Sequence, residues 1–311
     1  MDLAMLERRA SIIKQIRSFF DEKKYLELDT PLLSPDLIPE SCLEVFKTER
    51  LFPPASRKEN RSMYLIPSPE IWMKKIIAQH KVNIYQICKC FRNGESEGKY
   101  HNSEFTMLEY YTMEADYSDS LALTQELFNI FNQLTFEKIT VADAFLKYAE
   151  FDLFKTAAQG AQAMERQARE LGLEPMTGMS TPQLYDLIFI HAVEPRLKGD
   201  KPVALLDYPA FVPCLAKKAA DGLTVERWEL YWKGIELANC FSEETNPQKV
   251  EEFFLSEEAE KEKNAIVRHN VDHNYRKIFE NFPRCSGTAI GLDRLIMALT
   301  GKASIDGVIT V

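Results

Sequence analysis

FRNGESEGKYHNSEFTMLEYY, residues 91–111, decides how this chain is read. The stretch leaves a β-rich run, 85–91, through an arginine, crosses a polar loop containing glycine, and re-enters an alternating apolar run at Phe105. That pattern predicts two antiparallel strands joined by a long loop. Hairpin loops are usually short, so one of about ten residues points to function. On the return strand a period of two puts Phe105, Met107, Glu109 and Tyr111 on one face, so an aromatic, a carboxylate and a phenol line up beside Arg92. A guanidinium fork can hold a carboxylate or phosphate through parallel hydrogen bonds, and a phenyl face can stack on a purine. On these residues alone, a buried hairpin with a solvated charged loop accounts for the pattern equally well.

A second stretch breaks that tie. SGTAIGLDR, residues 286–294, runs straight into LIMAL, 295–299, a small-residue strand entering an amphipathic helix with an arginine at the junction. Small residues let a ligand approach the backbone, and no Gly-Lys-Ser/Thr follows, so this is not a P-loop. Together the two stretches resemble motifs 2 and 3 of class II aminoacyl-tRNA synthetases. Their wording is most similar to the lysyl branch and, within it, to the elongation factor P–lysine ligase family, a lysyl-tRNA synthetase paralogue. The resemblance extends to LELDTP at 26–31, to Ser68-Pro69-Glu70 and to GIELANCFSE at 234–243, and so covers most of the chain.

Composition sets the bounds. The chain has 311 residues, 45% hydrophobic and 27% charged, ordinary for a soluble protein. Its formal net charge of −9 lacks the usual electrostatic footprint of a nucleic-acid binder. Six cysteines include no C-x-x-C, no signal peptide precedes them, and no apolar run approaches the ~20 residues of a membrane span. A reduced, cytoplasmic enzyme is expected. Cys88 and Cys90 share a strand face, where small core packing is their ordinary role.

In chain order, Leu6, Ala10, Ile13, Arg17 and Phe20 predict an amphipathic helix over 3–23, followed by a strand over 25–30 that Pro31 stops. In class II synthetases such a unit is motif 1 and builds a twofold interface, so the resemblance implies a homodimer. A strand over 64–67 leads to Ser68-Pro69-Glu70 capping a helix to residue 78. Leu123, Leu127, Ile130, Phe131 and Leu134 mark another helix, and 140–200 reads as mostly helical with Thr140 and Thr181 as N-caps. A strand over 227–236 carries Trp228, Leu230 and Trp232 on one face and continues as GIELANCFSEE. Asn246-Pro247 opens a highly charged helix, and His269 and His273 are spaced to share a helix face.

The resemblance implies activation of an amino acid by ATP to an aminoacyl-adenylate, then transfer to an acceptor. Two anions must be juxtaposed, so positioning and charge neutralisation supply most of the rate. By resemblance, Arg92 bridges the substrate carboxylate and the α-phosphate, Arg294 meets the γ-phosphate, Phe105 stacks on adenine, Asn102 bonds near it, and Gly291 admits the nucleotide. Asn93, Gly94 and Glu95 belong to the same ATP loop. Ser68, Pro69 and Glu70 lie at the substrate amino group, and Glu243 with Tyr111 at the side-chain ammonium. Glu236, with Leu237 beside it, and Glu243 match the family's strand carboxylates, which beside a triphosphate imply Mg²⁺. Ala289 stands where lysyl-tRNA synthetases carry glycine and the ligases alanine, which implies a preference for β-lysine over lysine.

The chain departs from the family in places. Arg92-Asn93-Gly94 replaces Arg-Asn-Glu, which leaves Glu95 to supply the carboxylate through a loop one residue longer. Ser103 replaces a proline, and Cys240 replaces a glycine, a change expected to crowd the pocket. The expectation is an α+β fold, the class II synthetase catalytic core with a mostly antiparallel sheet flanked by helices. Residues 1–311 are expected to form a single catalytic domain without an anticodon-binding domain. The expected function is ATP-dependent activation of (R)-β-lysine or lysine and its transfer to a lysine ε-amine of elongation factor P, with tRNA an improbable acceptor. A truncated lysyl-tRNA synthetase and a catalytically inactive regulatory paralogue are the alternatives.

Overall fold

The computed structural model describes residues 2–53, 55, 58–94 and 98–309. It forms two compact units, Met1–Ala115 with Glu244–Val311, and Asp116–Glu243.

In the first unit, α1 (Leu3–Glu22) starts where Asp2 accepts a hydrogen bond from the Met5 amide. Its buried face is Met5, Arg9, Ile12, Ile16, Phe19 and Phe20. That stripe runs one residue ahead of the sequence expectation, because a buried ion pair draws Arg9 inward. β1 (Leu26–Glu27) is shorter than expected. β2 (Leu33–Ser34), β3 (Lys47–Arg50) and β4 (Arg61–Leu65) form a small antiparallel sheet ordered β2-β4-β3. α2 (Glu70–His80) follows and stops at Lys81, which is left-handed at φ +53°. β5 (Ile84–Phe91) and β6 (Glu104–Met113) are the expected hairpin, joined by the long loop.

The second unit opens with α3 (Tyr117–Asn129), capped by Asp116 in a reciprocal box with Asp119. Ile130, Phe131 and Leu134 follow this helix rather than extend it. β7 (Glu137–Thr140) leads into α4 (Val141–Tyr148), with Thr140 capping as expected. α5 (Leu153–Ala157), α6 (Ala161–Glu170) and α7 (Thr181–Ile188) complete the helical stretch. The cap of α7 is Ser180, reciprocated by Gln183, and not Thr181. β8 (Val203–Pro209), β9 (Thr224–Trp232) and β10 (Ile235–Ser242) pair in the order β10-β9-β8-β7.

The expected single strand over 227–236 is in fact the end of β9 and the start of β10. Trp232 pairs with Ile235, leaving Lys233 at φ +54° and Gly234 at φ +76° as a two-residue turn. Two successive left-handed residues match the right-handed twist of the flanking strands, which is why hairpins favour them.

The chain then returns to the first unit with α8 (Pro247–Asn264), capped by Asn246, β11 (Cys285–Gly291) and α9 (Leu292–Thr300). β11 pairs with β6, giving the order β1-β5-β6-β11. His269 and His273 lie outside any helix, so they share no helix face. Every large-sheet pairing within the two units is antiparallel except β1 with β5 and β7 with β8. This is the α+β class expected.

The two faces of β5-β6-β11 differ in kind. On one, the Phe20 ring of α1 stacks on Tyr85 at 4.6 Å and lies 5.1 Å from Tyr110, an aromatic core sealed by the helix. The other carries the polar residues singled out in the sequence.

Candidate active site

That polar face is assembled by register. Gln86 and Ala289 flank Glu109, Cys90 is opposite Phe105, and Gly291 is opposite Met107. Tyr111 donates to Glu109 at 2.7 Å, so the two side chains share a face as the period of two predicts. Arg92 leaves the end of β5 with its guanidinium 5.2 Å from the Phe105 ring centroid. Glu70, in the first turn of α2, pairs at 2.5 Å with Lys74, which is fully buried. The Ser68 hydroxyl accepts from the Glu70 amide at 3.4 Å, so Ser68-Pro69-Glu70 does open the helix.

Two carboxylates here were not assigned as site residues from sequence. Glu109 is 3% exposed; burial, then the neighbouring Glu70, pushes its carboxyl well above the ordinary range, against the Tyr111 hydrogen bond. Glu40 is raised to about 7 by burial and by Glu70, with Arg92, Lys261 and Lys74 opposing. Glu40, Glu70 and Glu109 thus share one side of the unit with three cations, Arg92, Lys74 and Lys261, and burial penalises the charged forms of Glu40 and Glu109. Glu109 could have been found by the alternation that placed it beside Tyr111. Glu40 carries no sequence signal, since it reaches the cluster from an irregular segment.

Asn93 and Gly94 are held from the chain segment before β3. The Asn93 amide donates to the Glu44 carbonyl at 2.9 Å and its side chain to the Val45 carbonyl. Gly94 has φ +70°, and a Cβ there would lie 3.3 Å from Glu44 Cγ. A side chain there would press on Glu44, whose carboxylate accepts the amides of Ile266 and Val267. Glu95 lies outside the described residues. Asn102 is half-buried and accepts from the Glu104 amide, and Arg294 donates to the Tyr100 carbonyl at 3.1 Å from the first turn of α9. Next to Arg294, Asp293 is buried, pairing with Arg9 at 2.6 Å and accepting from the Thr106 amide at 2.6 Å.

The second unit holds Glu236, Leu237 and Glu243. Glu236 and Glu243 are an odd number of residues apart, which in a regular strand would put them on opposite faces. A register shift between Glu236 and Ala238 corrects this: Glu236, Asn239 and Phe241 pair with Tyr231, Glu229 and Arg227. Continued alternation carries Glu243 to the same face. Leu237 sits in the irregularity and is 1% exposed, so its side chain is core. Cys240 is buried opposite Trp228, on the other face from Asn239, so the expected crowding of the pocket does not arise.

A buried polar network on this face escaped the sequence reading. Arg227 donates to Asn239 at 3.0 Å and to Glu229, and Glu229 also accepts from Tyr208 and Tyr231. Its only trace in the sequence is the polar set Arg227, Glu229 and Tyr231 alternating with Trp228, Leu230 and Trp232.

Among the described residues, no three His, Cys, Asp or Glu side chains gather as a ready metal cage. Mg²⁺ asks for less, one or two carboxylates with the remainder from phosphate and water. Glu236 and Glu243 on one face fit that donor set. No helix among the described residues is long and apolar enough to cross a membrane.

Comparison with known proteins shows the family. The family model for class II tRNA synthetases (D, K and N) matches residues 3–310. Similar curated proteins include the elongation factor P–(R)-β-lysine ligase of Vibrio cholerae serotype O1, 34% identical over 98% of this chain and 94% of the relative. The proteins of the same name from Pectobacterium atrosepticum and Avibacterium paragallinarum are 34% and 35% identical, over 99% and 97% of this chain and 94% and 92% of the relatives. The chain belongs to the class II tRNA synthetase family, on the branch that holds the elongation factor P–(R)-β-lysine ligases.

Proposed function

We propose that this chain is an ATP-dependent ligase that activates (R)-β-lysine, or lysine, and transfers it to a lysine ε-amine of elongation factor P. The observation that carries the reading is the cluster of Glu109, Tyr111 and Glu70 around Ala289's register position. Glu70 is already paired with Lys74, so the group a substrate ammonium would compensate is buried Glu109, which a neutral side chain would leave without a cation of its own. The substrate carboxylate attacks the α-phosphorus of ATP and pyrophosphate leaves. The acceptor amine then attacks the carbonyl carbon, and AMP leaves with the bonding electrons.

In this reading Arg92 holds the substrate carboxylate against the α-phosphate, Phe105 and Asn102 hold the adenine, and Arg294 holds the distal phosphate. Asn93, Gly94 and Glu95 shape the ATP loop, and Gly291 admits the nucleotide. Glu70 and Ser68-Pro69 take one substrate amino group and Glu109 with Tyr111 the other; Glu243 is assigned to the side-chain ammonium by the resemblance alone. Glu236 and Glu243 would hold Mg²⁺, which supplies charge neutralisation at the phosphates when bound. A homodimer through the α1–β2 region is part of the proposal, supported by the exposed Leu3, Leu26, Leu32 and Leu33. A cytoplasmic setting is supported by the six free cysteines.

The deciding experiment incubates the protein with ATP, each lysine isomer, and either elongation factor P or tRNA. Mass spectrometry should find one lysyl group added to one lysine of elongation factor P, with negligible tRNA charging. Robust tRNA charging with elongation factor P left unmodified would restore the truncated synthetase, and no activation of any isomer would restore the inactive paralogue.

Isomer choice is a separate test. The Ala289 methyl lies in register with Glu109. It shifts where the amino group can sit, so β-lysine should be activated better than α-lysine and Ala289→Gly should improve α-lysine use. One methyl is worth about 1–3 kcal/mol, or roughly 10–200-fold in kcat/KM. A wild-type preference for α-lysine would remove Ala289 from specificity.

A further inference from the structure

Cys88 and Cys90 stand on the substrate-side face of β5, and the activation chemistry uses neither. Their sulfur atoms are 3.9 Å apart. Cys88 is half-buried and Cys90 fully buried, opposite Met107 and Phe105 in the ladder. The two thiols differ in character. The hydrogen bond from Cys90, helped by Gln86, holds the Cys88 thiol below its ordinary value against burial. Burial, then the contact with Cys88, pushes Cys90 well up. One thiol is accessible and inclined to ionise; its neighbour is sheltered and protonated. That is the division of labour between an attacking and a resolving cysteine.

We propose that Cys88 is a peroxide-oxidisable thiol with Cys90 as its resolving partner, making this face of β5 a site of reversible oxidative modification. The Cys88 thiolate attacks one oxygen of a hydroperoxide; the O–O bond breaks, and the departing oxygen takes a proton to leave as water or alcohol. Cys88 is then a sulfenic acid. The Cys90 sulfur attacks the Cys88 sulfur, the S–O bond breaks, and a water leaves with the Cys90 proton. Two thiols have lost two electrons and two protons, and the peroxide has accepted them.

Residues two apart on a strand have Cα atoms about 6.6–6.8 Å apart, the upper end of what a disulfide spans. The bond must draw the strand together, and strained disulfides are the readily reduced ones. Arg92 follows Cys90 by two residues, so the contraction moves the arginine and its contact with Phe105. Formation of the bond does not depend on the proposed function; its effect on amino-acid activation does.

The test uses the full chain with Cys42→Ser and Cys214→Ser, which removes the other two thiols that are not buried. After hydrogen peroxide, peptide mapping should find a Cys88–Cys90 disulfide that dithiothreitol reverses. Pyrophosphate exchange should fall by about 10–100-fold, the scale of a catalytic group misplaced by an ångström, and return on reduction. In a Cys90→Ser variant the reaction should stop at a sulfenic acid on Cys88 that dimedone traps, and Cys88→Ser should abolish both products. If both thiols remain alkylatable after peroxide has oxidised a free-thiol control, the modification site is overturned. A disulfide that leaves exchange unchanged overturns its link to activation. Absence of exchange in the reduced protein would count against the proposed function and leave the mapping result standing.

Discussion

Arg92→Lys should lower ATP–pyrophosphate exchange by at least about 100-fold, since a single well-placed donor in a preorganised site is worth that much. The substitution keeps the charge and loses the fork, and an ammonium cannot hold a carboxylate oxygen and a phosphate oxygen in one plane. The structure also shows what positions that fork. The Arg92 amide donates to the Ser103 carbonyl at 3.0 Å, closing the base of the loop, and the guanidinium lies over Phe105. A lysine would lose the flat contact with the ring as well as the second hydrogen bond. The measurement is pyrophosphate exchange at saturating ATP and β-lysine, with circular dichroism confirming an intact fold. Near-normal exchange in the variant would remove Arg92 from the mechanism.

Asp293→Ala should destabilise the first unit by about 3–5 kcal/mol, the usual penalty for stripping one partner from a buried ion pair. Asp293 is 1% exposed and Arg9 8% exposed. Arg9 also donates to the Val308 carbonyl at 3.1 Å and the Thr106 hydroxyl at 2.9 Å, so it would stay buried with its charge uncompensated. The Thr106 amide would lose its acceptor at the same time. Urea unfolding gives the size of the effect. Amide hydrogen exchange at Thr106 localises it, because that proton should lose protection more than its neighbours on β6. A loss below about 1 kcal/mol would place Asp293 among ordinary surface pairs. Asp293→Asn keeps the shape and one acceptor and should cost less.

Local pattern made much of this protein legible. The β5–β6 hairpin follows from turn residues and alternation, and the face shared by Phe105, Met107, Glu109 and Tyr111 follows from the period of two alone. The cap at Thr140 and the helix opened by Ser68-Pro69-Glu70 are equally local, since a capping side chain bonds amides within three residues of itself. The motifs at Arg92 and Arg294 identified the family because their chemistry fixes residue type and spacing together.

Other features depend on contacts between residues far apart in sequence, which no local period reports. The helical stripe of α1 is displaced by one position because Arg9 is drawn inward by Asp293, 284 residues away. Glu40 and Glu70 belong to the Glu109 cluster only because separate segments meet there. Glu236 and Glu243 share a face only because the pairing with β9 slips at Leu237, and Lys233-Gly234 turns the chain only because β9 and β10 pair across it. By itself the sequence determined the β5–β6 hairpin, the cap at Thr140 and the motifs that show the family, because those depend on neighbours along the chain. Tertiary structure alone decided which charges are buried together and which carboxylates point the same way, because register and desolvation are set by partners that only folding brings into contact.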